Sequence, residues 1–395
     1  MTNEICRRIA DIIDRNAERF TDIAREIGAN PELGFAEHLA QRLLTEPLAE
    51  AGFKLETGLA GMETSFRASW EGKAGGPTIA ILCEYDALPM IGHGCGHNLI
   101  GTAGSLAGWA LRQAWPDLPG TVQVIGTPAE EGGGGKVIMV EQGVFKGVDA
   151  AMMFHPSSGV NLVHRGGLAC QDVTFTFHGK PSHAAAAPWN GVNALDAVIQ
   201  TFVNVGLLRQ QLRPDARIHA IITKGGDAVN VIPELTECVF LVRAEKAPYL
   251  AEIKEKVINC ARAAALATGT TLDVKDGLLF ENRINNMVMA RTFQRHLEEM
   301  GLTVSEPDPK AGVGSSDMGN VSRVCPSIHP YVSIAEGSVP SHNVAFRDAA
   351  CSPAGFKGML VAAKALAMTA ADLFADPKLL AAAKDEFDKA IASGQ

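Results

Sequence analysis

Ile91-Gly92-His93-Gly94-Cys95-Gly96-His97-Asn98 is the stretch around which the chain is organised. In an extended backbone, side chains two positions apart point the same way, so His93, Cys95 and His97 can share one face. The intervening glycines let the backbone approach closely. That pattern suits a metal clamp, although a single cysteine also serves as a small core residue and a single histidine as a buried polar group. Three further settings supply ligand types: Glu130-Glu131, His155 and His342, each in a Gly-, Pro- or Ser-rich segment after a strand-like run.

Working outward, strands are expected over Ser65–Trp70, Thr78–Cys83, Thr121–Gly126 and Ala150–Phe154, and helices over Glu4–Gly28, Phe35–Ala51 and Gly101–Arg112 and from Lys136. Strand and helix alternate, which predicts a helix-covered, mostly parallel sheet with its site at the carboxyl ends of the strands. Near Gly166-Gly167 the pattern changes. Strand Ala169–His178, helix Asn193–Leu212, strands Arg217–Lys224 and Thr236–Ala244, helix Pro248–Thr268 and strand Thr271–Leu279 spell β-α-β-β-α-β, the ferredoxin-like α+β unit. The expected domains are therefore 1–166 with 282–395, and an insertion over 167–281. After the insertion come a helix over Ile284–Met300, a strand over Tyr331–Ile334 and an alanine-rich helix over Ser352–Phe374.

The 395 residues are 47% hydrophobic and 20% charged, which is long enough and apolar enough for two folded cores. A formal charge of -9 without any Lys/Arg block argues against nucleic acid or anionic membrane as partner and favours a small molecule. The start Met1-Thr2-Asn3-Glu4 lacks a leader pattern, and no apolar run is expected to reach the ~20 residues of a membrane helix. Eight cysteines are scattered singly, as in a reducing compartment. These features together predict a cytoplasmic protein.

Adjacent glutamates in an extended segment diverge, so one of Glu130 and Glu131 can face a metal while the other faces its water. Alternatively, both cap the helix that follows. Gly132-Gly133-Gly134-Gly135-Lys136 is not a phosphate loop, because Glu130 and Val137 stand where Gly and Ser or Thr are required. His38, His164, His178, His219 and His296 lie without convergent ligands and read as ordinary structural residues. His93 could support the clamp from behind, and His329 could line the pocket.

Seven motifs, in order, carry a resemblance: Asn30-Pro31-Glu32-Leu33-Gly34-Phe35, Asp86-Ala87-Leu88-Pro89, Gly92–Asn98, Pro128-Ala129-Glu130-Glu131, Lys180-Pro181-Ser182-His183-Ala184-Ala185, Asn230-Val231-Ile232-Pro233 and Ser341-His342-Asn343. The chain resembles the dinuclear-metal aminoacylase and carboxypeptidase (zinc peptidase) family. The similarity is to its amidohydrolase branch of hippurate, auxin-conjugate and aminobenzoyl-glutamate hydrolases and β-alanyl-dipeptidase-like enzymes.

The resemblance implies a zinc-exopeptidase-like catalytic domain with two divalent metal ions per subunit (Zn, Mn, Co or Ni) on Cys95, His97, Glu131, His155 and His342. Glu130 would be the general base, with Asp86 behind the ligands. The insertion would be a lid and dimerisation domain of a homodimer, lending His183 to the neighbouring site. Asn230, Arg243 and Ser316 would bind substrate, Arg243 by clamping a carboxylate. Asn98 and Gly314-Ser315-Ser316-Asp317-Met318-Gly319 depart from the auxin-conjugate pattern towards the aminobenzoyl-glutamate and dipeptidase side. The activity implied is hydrolysis of an N-acyl amino acid or small dipeptide. The alternatives are hydrolytic deamination of an aromatic amine on the same scaffold and metal binding without turnover.

Overall fold

A computed structural model describes residues 2–309 and 311–394. Met1, where the leaderless start is read, lies outside them. The chain opens with α1 (Thr2–Arg15), α2 (Ala17–Ala29) and α3 (His38–Glu50), then β1 (Lys54–Thr57), β2 (Phe66–Glu71) and β3 (Lys73–Cys83). Next come α4 (His97–Ala114), β4 (Pro119–Gly126), α5 (Gly135–Glu141), β5 (Ala150–Met152) and β6 (His155–Ser157). The middle holds β7 (Ala169–His178), α6 (Ala194–Leu208), β8 (Arg217–Lys224), β9 (Leu235–Ala244), α7 (Ala247–Thr268) and β10 (Thr271–Asp276). The last part holds α8 (Met287–Glu299), α9 (Met318–Val321), β11 (Ser327–Ile328), β12 (Tyr331–Ser333), α10 (Val344–Ala350), α11 (Pro353–Ala375) and α12 (Pro377–Ala392).

Two compact units result, one over residues 2–166, 283–313 and 317–394 and the other over Gly167–Asn282 with Gly314–Ser316. In the first unit the sheet runs β1-β2-β4-β3-β5-β11. β3 pairs in parallel with β4 and β5, and β5 with β11, whereas β1–β2 and β2–β4 are antiparallel. The three central strands therefore end at one edge, where chain segments from different parts of the sequence meet. β6 pairs in parallel with β12 as a separate ribbon.

Helix α4 packs on β3 and β4 and beneath α11, with nearly every residue buried. Its glycines make that approach possible: a Cβ on Gly104 would stand 2.6 Å from Cys83 Sγ, and one on Gly108 would stand 2.2 Å from Val124 Cγ2. Contrary to the sequence reading, α11 is long and apolar enough to cross a membrane by composition. However, 78% of that apolar window is buried within the protein, as befits a core helix.

Two other expectations are corrected. The helix read over Glu4–Gly28 is two helices broken at Asn16, whose side-chain amide donates to Ile12 O (2.8 Å) and turns the chain. The clamp is not extended: residues 93–95 form a bend and turn, and His97 is the first residue of α4. Gly96, at φ +78°, supplies the left-handed step into the helix.

In the second unit β10-β7-β9-β8 is antiparallel throughout, the β-α-β-β-α-β order. α6 and α7 cover this sheet over a core that includes Phe175, Phe177, Val198, Phe240 and Leu250. The inward residues of β9 alternate strictly with half-buried ones, the period-2 pattern of a strand with one covered face. β8 is an outer strand, with Ile221 and Ile222 exposed.

Candidate metal centre and active site

The parallel strand ends of the first unit place the site. Glu84 and Asp86 follow β3, Glu130 and Glu131 follow β4, and His155 follows β5. Cys95 and His97 come from the turn into α4, and His342 from the loop before α10. Cys95 Sγ lies 3.5 Å from His155 Nε2 and 3.6 Å from His342 Nε2. Glu131 reaches His97 Nε2 with one oxygen (3.9 Å) and His342 Nε2 with the other (3.7 Å).

The donors fall into two trios, Cys95/His97/His155 and Cys95/Glu131/His342, each with its ligand atoms within 4.8 Å of one another. Cys95 belongs to both. His97 Nδ1 bonds Asp86 Oδ1 (2.9 Å) and His155 Nδ1 bonds Pro156 O (2.8 Å), so both rings turn Nε2 towards the centre. His97 Nε2 and Glu131 Oε1 are buried without a hydrogen-bond partner. A mixed sulfur, nitrogen and oxygen donor set with unsatisfied atoms aimed inward fits borderline divalent ions.

The electrostatics agree with that fit. Burial pushes the Cys95 thiol up to about 12, and a bound cation is what would draw the proton off. Burial also depresses His155 to about 4, so it presents a neutral, ligating imidazole at neutral pH. Burial would lower His97 too, but Asp86, helped by Cys95 and Glu84, raises it well above an ordinary histidine. The same negative field attracts a cation to that ring.

Glu130 and Glu131 were expected to diverge as in an extended chain. Instead residues 130–133 form a turn, entered through Ala129 at φ +59°, and the two carboxylates converge with His97 Nε2 within 4.8 Å. Neither caps the following helix: Gly134 occupies the N-cap of α5, with no side-chain cap bond. The glycine run makes the turn possible, since a Cβ on Gly135 would stand 1.9 Å from Pro128 O. Glu37 holds the entry by accepting from Ala129 N (2.8 Å) and from the Thr64 hydroxyl (2.6 Å).

Burial, then the charges of Glu84, Asp317 and Glu131, push Glu130 well above the usual carboxylate range. Behind it, fully buried Lys136 donates from Nζ to Glu84 Oε1 (2.5 Å) and Asp317 Oδ1 (2.8 Å). Sequence reasoning missed this trio. The signal was present, since Glu84 directly ends an apolar strand run and Lys136 opens a short apolar helix.

His342 is held at φ +61° by its N–H to Gly94 O (2.9 Å), and Asn343 caps α10 by accepting from Phe346 N (3.0 Å). His93 is buried but belongs to neither trio. His329 is buried beside His155, with ring centroids 5.3 Å apart, and is bonded by Arg283.

The remaining site residues lie in the second unit. His183 is exposed, and its Nδ1 accepts from Ala185 N and Ala186 N (both 3.2 Å), which leaves the proton on Nε2 as a free donor. Asn230 is exposed and lies beside the His183 segment, its carbonyl accepting from Ala184 N (3.0 Å). Arg243, on β9, donates from Nη1 to Ser315 Oγ (2.7 Å), next to Ser316.

Residues 85–366 match the family described as Peptidase family M20/M25/M40. The chain is 42% identical to the Xaa-Arg dipeptidase of Mus musculus over 96% of its own length and 91% of the relative's. It is 30% identical to a p-aminobenzoyl-glutamate hydrolase component of Escherichia coli, over 97% and 95%. In fold it is similar to a dinuclear metal binding peptidase of Bacillus subtilis, with a TM-score of 0.69, 20% identity and coverage of 92% and 99%. The family match and these relatives show a metal-dependent amidohydrolase, and the helix-flanked, mostly parallel sheet with an added antiparallel unit agrees with it. The chain belongs to peptidase family M20/M25/M40.

Proposed function

We propose that the protein hydrolyses a dipeptide or N-acyl amino acid that carries a free carboxylate, with dipeptides ending in a basic residue as the preferred class. The similarity to an Xaa-Arg dipeptidase over nearly the whole chain supports that preference. The observation that carries the chemistry is the convergence of Cys95, His97, Glu131, His155 and His342 beside a spare carboxylate, Glu130.

Cys95, His97, Glu131, His155 and His342 would hold two divalent ions, which would supply Lewis acidity and a more acidic water. Glu130 takes the proton from the attacking water and returns it to the leaving amine. Burial and the neighbouring carboxylates suit it to the second step by keeping its conjugate acid a usable proton store. Asp86 holds the His97 ring, and accepts from Glu131 N (2.9 Å) to fix the turn that bears both glutamates.

His183 Nε2–H is the donor for the developing oxyanion, supplied by the neighbouring subunit. Arg243, beside the Ser315–Ser316 segment, receives the substrate carboxylate, and Asn230, next to the His183 segment, contacts the substrate together with His183. A homodimer through the second unit accounts for the exposed outer strand β8, and for Ile199, Val203 and Leu207 along one exposed face of α6. The scattered single cysteines support a cytoplasmic setting.

Incubation with Xaa-Arg and Xaa-Lys dipeptides, N-acyl amino acids and p-aminobenzoyl-glutamate, with Mn²⁺, Co²⁺ or Zn²⁺ present, should release free amino acid, fastest from the basic dipeptides. Release of ammonia without amino acid would instead establish deamination. No hydrolysis with any of these ions would revive the alternative of metal binding without turnover.

A further inference from the structure

A second convergence of ligand types lies in the first unit and shares no residue with the five-ligand centre. Cys6 on α1, His296 on α8 and Asp372 on α11 bring a sulfur, a ring nitrogen and a carboxylate oxygen within 4.8 Å of one another. They line an open cavity of about 430 Å³ together with Arg295 and Glu299. His296 is 2% exposed; its Nε2 lies 2.7 Å from Asp372 Oδ2. Its Nδ1 is buried without a hydrogen-bond partner, with Glu299 Oε2 3.4 Å away.

One cation already stands at this cluster. The Arg295 guanidinium bonds Asp372 Oδ2 and lies 3.3 Å from His296 Nε2, yet the arginine side chain is 52% exposed. A half-exposed arginine on a long stem can withdraw towards Glu299, whose Oε1 is 3.8 Å from Arg295 Nε. We propose that Cys6, His296 and Asp372, with Glu299 in reach, form a third divalent-cation site of zinc type, for which Arg295 is the built-in competitor.

The donor chemistry favours an ion over a nucleophile. Burial, with the charge of Asp372, pushes the Cys6 thiol up to about 11, so at neutral pH it is largely protonated and reacts slowly but measurably with an alkylating reagent that enters the cavity. Zinc displaces that proton to solvent as the Zn–S bond forms, with no change in oxidation state. A plain Arg295–Asp372 ion pair would involve neither the thiol nor the unpaired ring nitrogen.

The test is peptide-resolved alkylation of Cys6 by iodoacetamide in protein already loaded with its hydrolytic metals, with and without added Zn²⁺. Reading the Cys6 peptide alone keeps Cys95 out of the measurement. Zn²⁺ is expected to slow Cys6 alkylation several-fold in the wild-type protein and to have no effect in Asp372→Asn, checked for folding by near-ultraviolet circular dichroism. Arg295→Ala should need several-fold less Zn²⁺ for the same protection. Alkylation indifferent to Zn²⁺, or unchanged protection in folded Asp372→Asn, would overturn the site. Should Asp372→Asn not fold, Arg295→Ala decides, and protection at the same or higher Zn²⁺ refutes it.

Discussion

Glu130 and Glu131 are neighbours with different surroundings. Glu131 reaches two imidazoles, while Glu130 faces the buried Glu84–Lys136–Asp317 trio as well as His97. Glu130→Gln preserves shape and removes the base, so turnover should fall by about 10²–10⁴-fold while metal content stays at the wild-type level. Parallel metal analysis and kinetics check this, and a fall in both would move Glu130 among the ligands. Asp86→Asn keeps a hydrogen-bonding side chain but weakens the hold on His97 Nδ1. It is expected to lower metal affinity by roughly 10–100-fold, read by chelator competition. The residue types of the ligands were legible in the sequence. The convergence of the two glutamates was not, because it depends on the left-handed step at Ala129 and its bond to Glu37, ninety-two positions away.

Among the elements, α4 and α5 carry the clearest mechanical constraints. Gly104 and Gly108 bring α4 against β3 and β4, and a valine at Gly108 would overfill that contact. Gly108→Val should destabilise the first unit by about 1–3 kcal/mol, seen as a lower thermal midpoint with altered metal retention, since His97 starts the same helix. Lys136→Met strands Glu84 and Asp317 as buried charges without their cation. It is expected to cost about 3–5 kcal/mol, and a variant as stable as wild type would show that the carboxylates share a proton instead.

β7 and β8 could be read to the residue because their β-branched and aromatic runs are bounded by Gly- and Pro-containing turns, although β8 does not alternate in burial. The short β11 and the helix α10 were missed because two and seven residues carry too little period to register. The break at Asn16 was missed for a related reason. The apolar spacing continues across it, and only a side-chain bond marks the turn.

At the scale of the whole molecule, the proposed dimer makes the active site a shared one. Glu130 belongs to the first unit and His183 to the second, so two inactive variants can complement each other across a homodimer. Mixing Glu130→Ala with His183→Ala chains should restore part of the activity in verified heterodimers, whereas no recovery would place His183 outside the chemistry. The inserted unit itself was legible as β-α-β-β-α-β, since each of its elements is long and regular. The membrane-spanning composition of α11 shows the opposite case: alanine-rich apolarity has the same appearance in a protein core and in a bilayer. The most direct test of the central claim is anomalous diffraction from crystals of the metal-loaded protein. Two peaks on either side of Cys95 Sγ, within bonding distance of His97, Glu131, His155 and His342, are expected. Absence of a pair of peaks among those five residues would contradict the account.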